Sequence, residues 1–131
     1  MDIINELNKL MDIAIKKNEV PVACIITKDN KIIAKSYNKT AKTNNILDHA
    51  EIIAIKKASK KLHNWRLNDC TMYVSLEPCS MCKEIIKKSR IKEVIYYSKQ
   101  NDNKTEKDLD YQYINNKEIS NKLTNFFKNI R

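Results

Sequence analysis

Two short words separated by 26 residues constrain this chain most: His49-Ala50-Glu51 and Pro78-Cys79-Ser80-Met81-Cys82. Each opens a stretch with helical periodicity. Ile52, Ile53, Ala54, Ile55 and Ala58 follow the first, and the segment from Cys79 to Ser89 follows the second. Cysteines at i and i+3 in a helix's first turn point the same way, and the partial positive charge of a helix N-terminus lowers thiol pKa. If His49, Glu51 and both cysteines are to act together, the fold must bring two helix starts to one place.

The rest of the chain supplies the means. Ile3, Ile4, Leu7, Leu10, Met11, Ala14 and Ile15 recur at helical spacing, with Asn8, Lys9, Lys16 and Lys17 on the outer face. Asn18 and Pro21 close that helix. Residues 22–27 and 31–37 are β-rich runs joined by Asp29-Asn30, a pair that tolerates positive φ and predicts a tight hairpin. Residues 38–47 are polar and read as loop. Asp48 is placed to cap a helix over 49–61. A third strand is expected over 71–75. Pro78 suits the first turn of a helix over 79–89, and 94–97 makes a fourth strand. The polar stretch 98–110 reads as loop, 111–114 as a short fifth strand. Ile119, Leu123, Phe126, Phe127 and Ile130 outline a closing helix. Helices alternating with strands imply a layered α/β fold with helices on both sheet faces, part of the sheet antiparallel through the hairpin.

A length of 131 residues with 42% hydrophobic content fits one domain over 1–131 with one core. No run of 18 apolar residues is present to span a membrane. Asp2 and Glu6 stand where a signal peptide would be basic and then apolar, so a cytoplasmic protein is expected. The net charge of +9 favours a polyanionic partner such as RNA. Part of that charge carries no functional information, because Lys, Asn and Ile dominate and Gly is absent, the composition AT-rich codons produce. Lys56, Lys57, Lys60, Lys61 and Arg66 read as the wet face of a helix, and Lys83, Lys87, Lys88, Arg90 and Lys92 have the same character. Tyr96, Tyr97, Phe126 and Phe127 read as core.

Imidazole with soft sulfur suits zinc, and three protein ligands leave a fourth position for water. Glu51 sits two residues past the histidine, near a metal without needing to bind it. A carboxylate there can pass a proton from activated water to a ring nitrogen and a leaving amine. The same Cys-x-x-Cys also fits a redox pair or half of a structural zinc knuckle. A structural site takes four protein ligands, however, and Cys24, Cys70 and His63 lack paired spacing. Cys24 and Cys70 adjoin apolar strands and read as small core residues, His63 as solvent-exposed. Catalytic use is the favoured reading. Asn38 ends the second predicted strand, and by spacing alone is an ordinary loop asparagine.

His-x-Glu followed by Pro-Cys-x-x-Cys is the signature of zinc-dependent nucleobase deaminases. From about Val20 to Tyr96 the chain resembles the cytidine deaminase-like superfamily, and within it most resembles the bacterial wobble tRNA adenosine deaminases. Besides the two words above, the likeness takes in Glu19-Val-Pro-Val22, Tyr37-Asn38, Trp65-Arg-Leu67, Tyr73-Val-Ser-Leu-Glu-Pro-Cys79, Ser89-Arg-Ile91 and Thr124-Asn-Phe-Phe-Lys128. The resemblance implies a three-layer α/β/α fold around a five-stranded mixed sheet, one Zn2+ per subunit and a homodimer. It implies His49, Cys79 and Cys82 as zinc ligands, Glu51 as proton shuttle, and Asn38 and the backbone N–H of Ala50 as base contacts. The chain departs from the pattern at Ala23, where glycine is usual, and over 39–48. It departs also at Gln100, where an ungapped match meets an aspartate that only a shifted Asp102 could replace, and over 98–120, which is shorter than usual.

The implied function is hydrolytic deamination of adenosine to inosine in the tRNA anticodon loop. Two other readings keep the same residues: deamination of a free base or nucleoside (guanine, cytosine, cytidine), and a non-catalytic zinc-stabilised RNA-binding subunit, which would have no need of Glu51.

Overall fold

The structure, a computed structural model, describes residues 2–100 and 110–129. Asp102 and Ile130, named above, lie outside the described residues. The chain runs α1 (Ile3–Lys16), β1 (Ala23–Lys28), β2 (Lys31–Tyr37), α2 (Thr40–Thr43), α3 (Ala50–Leu62), β3 (Cys70–Val74), α4 (Ser80–Lys88), β4 (Glu93–Tyr96), β5 (Tyr111–Tyr113) and α5 (Lys117–Asn129). The five strands form one mixed sheet in the order β2-β1-β3-β4-β5. β1 pairs antiparallel with β2 and β3, while β3, β4 and β5 run parallel. This is the three-layer α/β/α arrangement the sequence implied.

Alternation along β1 shows how the layers are held. Cys24 and Ile26 join the apolar cluster beneath α3 and α4, with Met72, Val74 and Val94. Ala23 and Ile25 join the opposite cluster, with Leu7 and Met11 of α1 and Ile119 and Leu123 of α5. A strand covered on both faces reads as an unbroken apolar run, as β1 does. Cys24 and Cys70 are buried in the first cluster, as expected of small core residues.

The strand directions position the site. β2 and β3 are both antiparallel to β1, so their carboxyl ends lie at the same end of the sheet. α3 begins after β2 and α4 after β3, which brings their first turns together there. Open α/β sheets bind ligands at such strand ends.

Several local expectations are corrected. The loop over 38–47 contains the short helix α2. His49, not Asp48, is the N-cap of α3. Cys79 is the N-cap of α4, so Pro78 precedes the helix instead of lying in its first turn. Asn8 is buried, not outward, its Nδ2 donating to the Ile4 carbonyl at 3.1 Å. Phe127 is 49% exposed and is not core, whereas Tyr96 and Tyr97 are buried. Phe126 stacks edge-on against Phe127.

The chain makes its left-handed turns without glycine. Asp29 and Asn30 both take positive φ (51° and 61°), the two-residue hairpin expected of them. Arg90 is the exception in kind: at φ 68°, just past α4, it holds the position helices commonly give to glycine. Its Cβ makes that conformation costly, at about 1 kcal/mol. Arg90→Gly should therefore stabilise the protein by about 1 kcal/mol, raising the midpoint of thermal unfolding by roughly 3 °C. A calorimetric midpoint that falls would show that the Arg90 side chain contributes more than its backbone costs.

Candidate active site

Two helix starts meet with their capping positions given to a histidine and a cysteine. His49 and Cys79 each have extended backbone at an N-cap, and neither side chain caps its helix. The side chains turn to each other instead. His49 Nδ1 lies 3.4 Å from Cys82 Sγ and 3.9 Å from Cys79 Sγ, and the three donor atoms fall within 4.8 Å of one another. Tetrahedral zinc with thiolate and imidazole ligands requires roughly 3.6 Å between nitrogen and sulfur and about 3.8 Å between sulfurs. The two nitrogen–sulfur distances bracket that value, and the cluster is the one group of three or more such donors among the described residues. Burial, the Glu51 carboxylate and the Cys79 sulfur push the Cys82 thiol well up. Crowded acidic groups with a suppressed charge are the setting a divalent cation relieves, since it takes the proton's place.

Glu51 lies in the first turn of α3, 3% exposed, and its Oε1 has no hydrogen-bond partner among the described residues. Burial pushes its carboxyl up, opposed by its own backbone N–H and by Cys82. A buried polar atom without a partner costs stability, so this oxygen marks a place meant for something else. Ser36 supports the same turn from below, its Oγ donating to the Ala50 carbonyl. As the first residue of α3, Ala50 carries an N–H with no intrahelical acceptor.

His49, Glu51 and Cys79 line a cavity of about 190 Å3, together with Asn38, Thr40, Val20, Val22, Leu76, Glu77 and Gln100. That is below the roughly 300 Å3 at which sites for drug-sized ligands begin, so it suits one flat ring system and not a whole nucleotide. Asn38 is 6% exposed and donates from Nδ2 to Thr40 Oγ1 at 3.2 Å. Among the described residues its amide oxygen accepts no hydrogen bond. Gln100 is tied to the opposite wall: its Nε2 donates to the Glu77 carbonyl at 2.8 Å and its backbone N–H to Glu77 Oε1 at 3.3 Å. The Glu77 carboxylate also meets Lys83 at 3.3 Å.

The structure thus brings together His49, Glu51, Cys79, Cys82 and Asn38. His63 stands apart, exposed at the far end of α3, and the lysines at 56, 57, 60 and 61 with Arg66 form an exposed face, as expected. Thr40 and the wall formed by Glu77 and Gln100 were not recognised as cavity residues in the sequence. The signal was weak: Glu77 adjoins the Pro-Cys word, and Gln100 was visible only as a departure from a pattern.

A family model described as MafB19-like deaminase matches residues 1–131. The chain is 47% identical over 95 residues to the tRNA-specific adenosine deaminase of Rickettsia bellii (strain RML369-C), a match covering 71% of this chain and 66% of that protein. The chain therefore spans slightly less than two thirds of that relative's length. Its fold is similar to a structure solved in work on A-to-I editing by tRNA:A34 deaminases at the wobble position, with a TM-score of 0.72 and 33% identity over 74% of this chain and 70% of that one. It is similar also to guanine deaminase from Bacillus subtilis, with a TM-score of 0.69 and 35% identity over 76% and 66%.

The donor cluster yields a direct expectation. Titration with Co2+ should give one bound ion per chain and a thiolate-to-metal charge-transfer band. Cys82→Ala should lower that affinity by more than about 100-fold, the upper range for losing a mere supporting contact. Equal binding by the variant would show that the ion sits elsewhere.

Proposed function

The chain belongs to the MafB19-like deaminase family, and on that premise we propose that it is a zinc-dependent hydrolytic deaminase converting adenosine to inosine at the wobble position of tRNA. The observation that carries the reading is the unpartnered oxygen of buried Glu51 beside three converging soft donors, in a cavity of one-base size. The named activity of the Rickettsia relative supports the substrate. The cytoplasmic homodimer rests on the family resemblance. Among the described residues, no helix is long and apolar enough to cross a membrane.

His49, Cys79 and Cys82 hold the zinc. When bound, zinc supplies the Lewis acidity that makes water a nucleophile near neutral pH. Asn38 offers a donor and an acceptor to the base edge, and the Ala50 N–H offers a second donor. Glu51 takes one proton from the attacking water and gives it to the ring nitrogen beside C6, then takes the second from the new C6 hydroxyl and gives it to the departing amine. A C–O bond replaces the C–N bond, and ammonia leaves. The raised Glu51 carboxyl suits a group that must both hold and release a proton near neutrality. Sugar and phosphates stay outside the cavity, where a net charge of +9 favours them. A single-stranded anticodon loop presents bases that are already partly unstacked.

A second reading is deamination of free guanine or a similar base. It is supported by the likeness to guanine deaminase, which matches the RNA-editing likeness in degree.

Incubation with transcribed tRNAs, followed by sequencing for A-to-G changes, tests the proposal. Conversion at one anticodon position, with binding that weakens steeply as salt rises, is the expected result. Turnover of free guanine without RNA affinity would replace it by the second reading. Glu51→Ala should retain its zinc and lose about 10²- to 10⁴-fold in turnover. An active variant would remove Glu51 from the proton path.

A further inference from the structure

We infer that Glu19 is a positioning residue for the proposed deamination, its carboxylate tethering the segment 39–48 and so setting Asn38 and Thr40 at the cavity wall. The inference rests on the reading of that cavity as the base site. Glu19 lies between α1 and β1 and is 2% exposed. Its backbone N–H donates to the Ala14 carbonyl at 2.9 Å, which fixes it to the end of α1. One residue on, Val20 lines the cavity.

The two carboxylate oxygens are used separately. Oε1 accepts the backbone N–H of Ala41 at 3.0 Å and Oε2 that of Lys42 at 2.8 Å. These are first-turn donors of α2, whose own N-cap residue, Lys39, makes no side-chain bond. Other bonds within the segment are local: Thr43 bonds to Lys39, and Leu47 and Asp48 bond to Asn45. At its base, Asn38 N–H donates to the Val22 carbonyl and Lys39 N–H to the Asp48 carbonyl. Among the described residues, the two bonds to Glu19 are thus the hydrogen bonds joining 41–47 to the rest of the protein. Packing does not substitute for them, because 41–47 are all exposed, Ile46 at 72% and Leu47 at 46%.

A carboxylate suits this task better than any neutral isostere. Both of its oxygens accept, and hydrogen bonds from N–H groups to an ionised acceptor are among the stronger ones. A glutamine would offer one acceptor and turn an NH2 toward the second N–H. Loosening the segment lowers the fraction of molecules with Asn38 and Thr40 in place, and apparent affinity falls in proportion. The chemical groups on α3 and α4 remain untouched.

The full zinc-loaded chain and its Glu19→Ala and Glu19→Gln variants can be compared by amide hydrogen exchange and by kinetics on an anticodon stem-loop RNA with adenosine at the wobble position. Both variants should keep their zinc. In Glu19→Ala, exchange over 39–48 should quicken at least tenfold with β1 and β3 unaffected, and KM should rise about tenfold with kcat changed less than about threefold. Glu19→Gln should fall between the variant and the wild type in both measures. Unchanged exchange over 39–48, loss of protection throughout the sheet, a fall confined to kcat, or a glutamine variant equal to wild type would each overturn the assignment. A wild-type protein that leaves the RNA unedited would sink the substrate reading, and the exchange arm alone would then decide whether Glu19 holds the segment.

Discussion

The molecule depends on the meeting of two helix N-termini, each of which has given up its side-chain cap. Four N–H groups at each helix start lack intrahelical partners, and serine, threonine or aspartate ordinarily satisfies one of them. Here His49 and Cys79 occupy the N-caps and spend their side chains on one another. Two positive dipole ends also face a common point, an arrangement that calls for negative charge between them. Cys79, Cys82 and Glu51 are the acidic groups placed there, and with His49 the two cysteines form a cluster that could hold a metal ion. The arrangement gathers three soft donors at the expense of ordinary helix capping.

The sheet makes that meeting reproducible. Because β1 runs antiparallel to both neighbours, β2 and β3 deliver their chains to the same end. The covered faces of β1 fix register on both sides, since a slip of one residue would exchange the Cys24 and Ile26 face for the Ala23 and Ile25 face. Ser36 adds a specific lock, joining β2 to the Ala50 carbonyl at the start of α3. The site is thus set mainly by rigid elements. The segment 39–48 is the softer part of its wall.

How much of this could be read from sequence follows from the range of the forces involved. The five strands, α3 and α4 were legible to within a residue or two because periodicity and turn chemistry are local. The Asp29-Asn30 hairpin is the plainest case. The convergence of His49, Cys79 and Cys82 was legible because thiol and imidazole chemistry restricts the spacing of such words. Errors arose where tertiary contacts decide. Asn8 looks polar and therefore outward, yet it is buried with an amide bond back to Ile4. Asp48 looks like a cap, but the cap position is taken by the histidine that must reach the cysteines. The helix α2 escaped notice because its N–H groups are satisfied by a glutamate more than 20 residues earlier, a pairing no local pattern contains.

The same distinction sorts the acidic residues around the cavity. Glu19, Glu51 and Glu77 are chemically alike and all substantially withdrawn from water. Glu19 has both oxygens occupied by backbone N–H groups. Glu77 has one occupied by Lys83 and the other by the Gln100 N–H. A carboxylate saturated in this way holds structure through the bonds it already makes. Glu51 alone among the three keeps an oxygen without a partner, and burial has already raised the affinity of that carboxyl for a proton. Its partner inventory, more than its residue type or its place in a motif, sets it apart from its two neighbours and supports the proton-carrying role proposed for it.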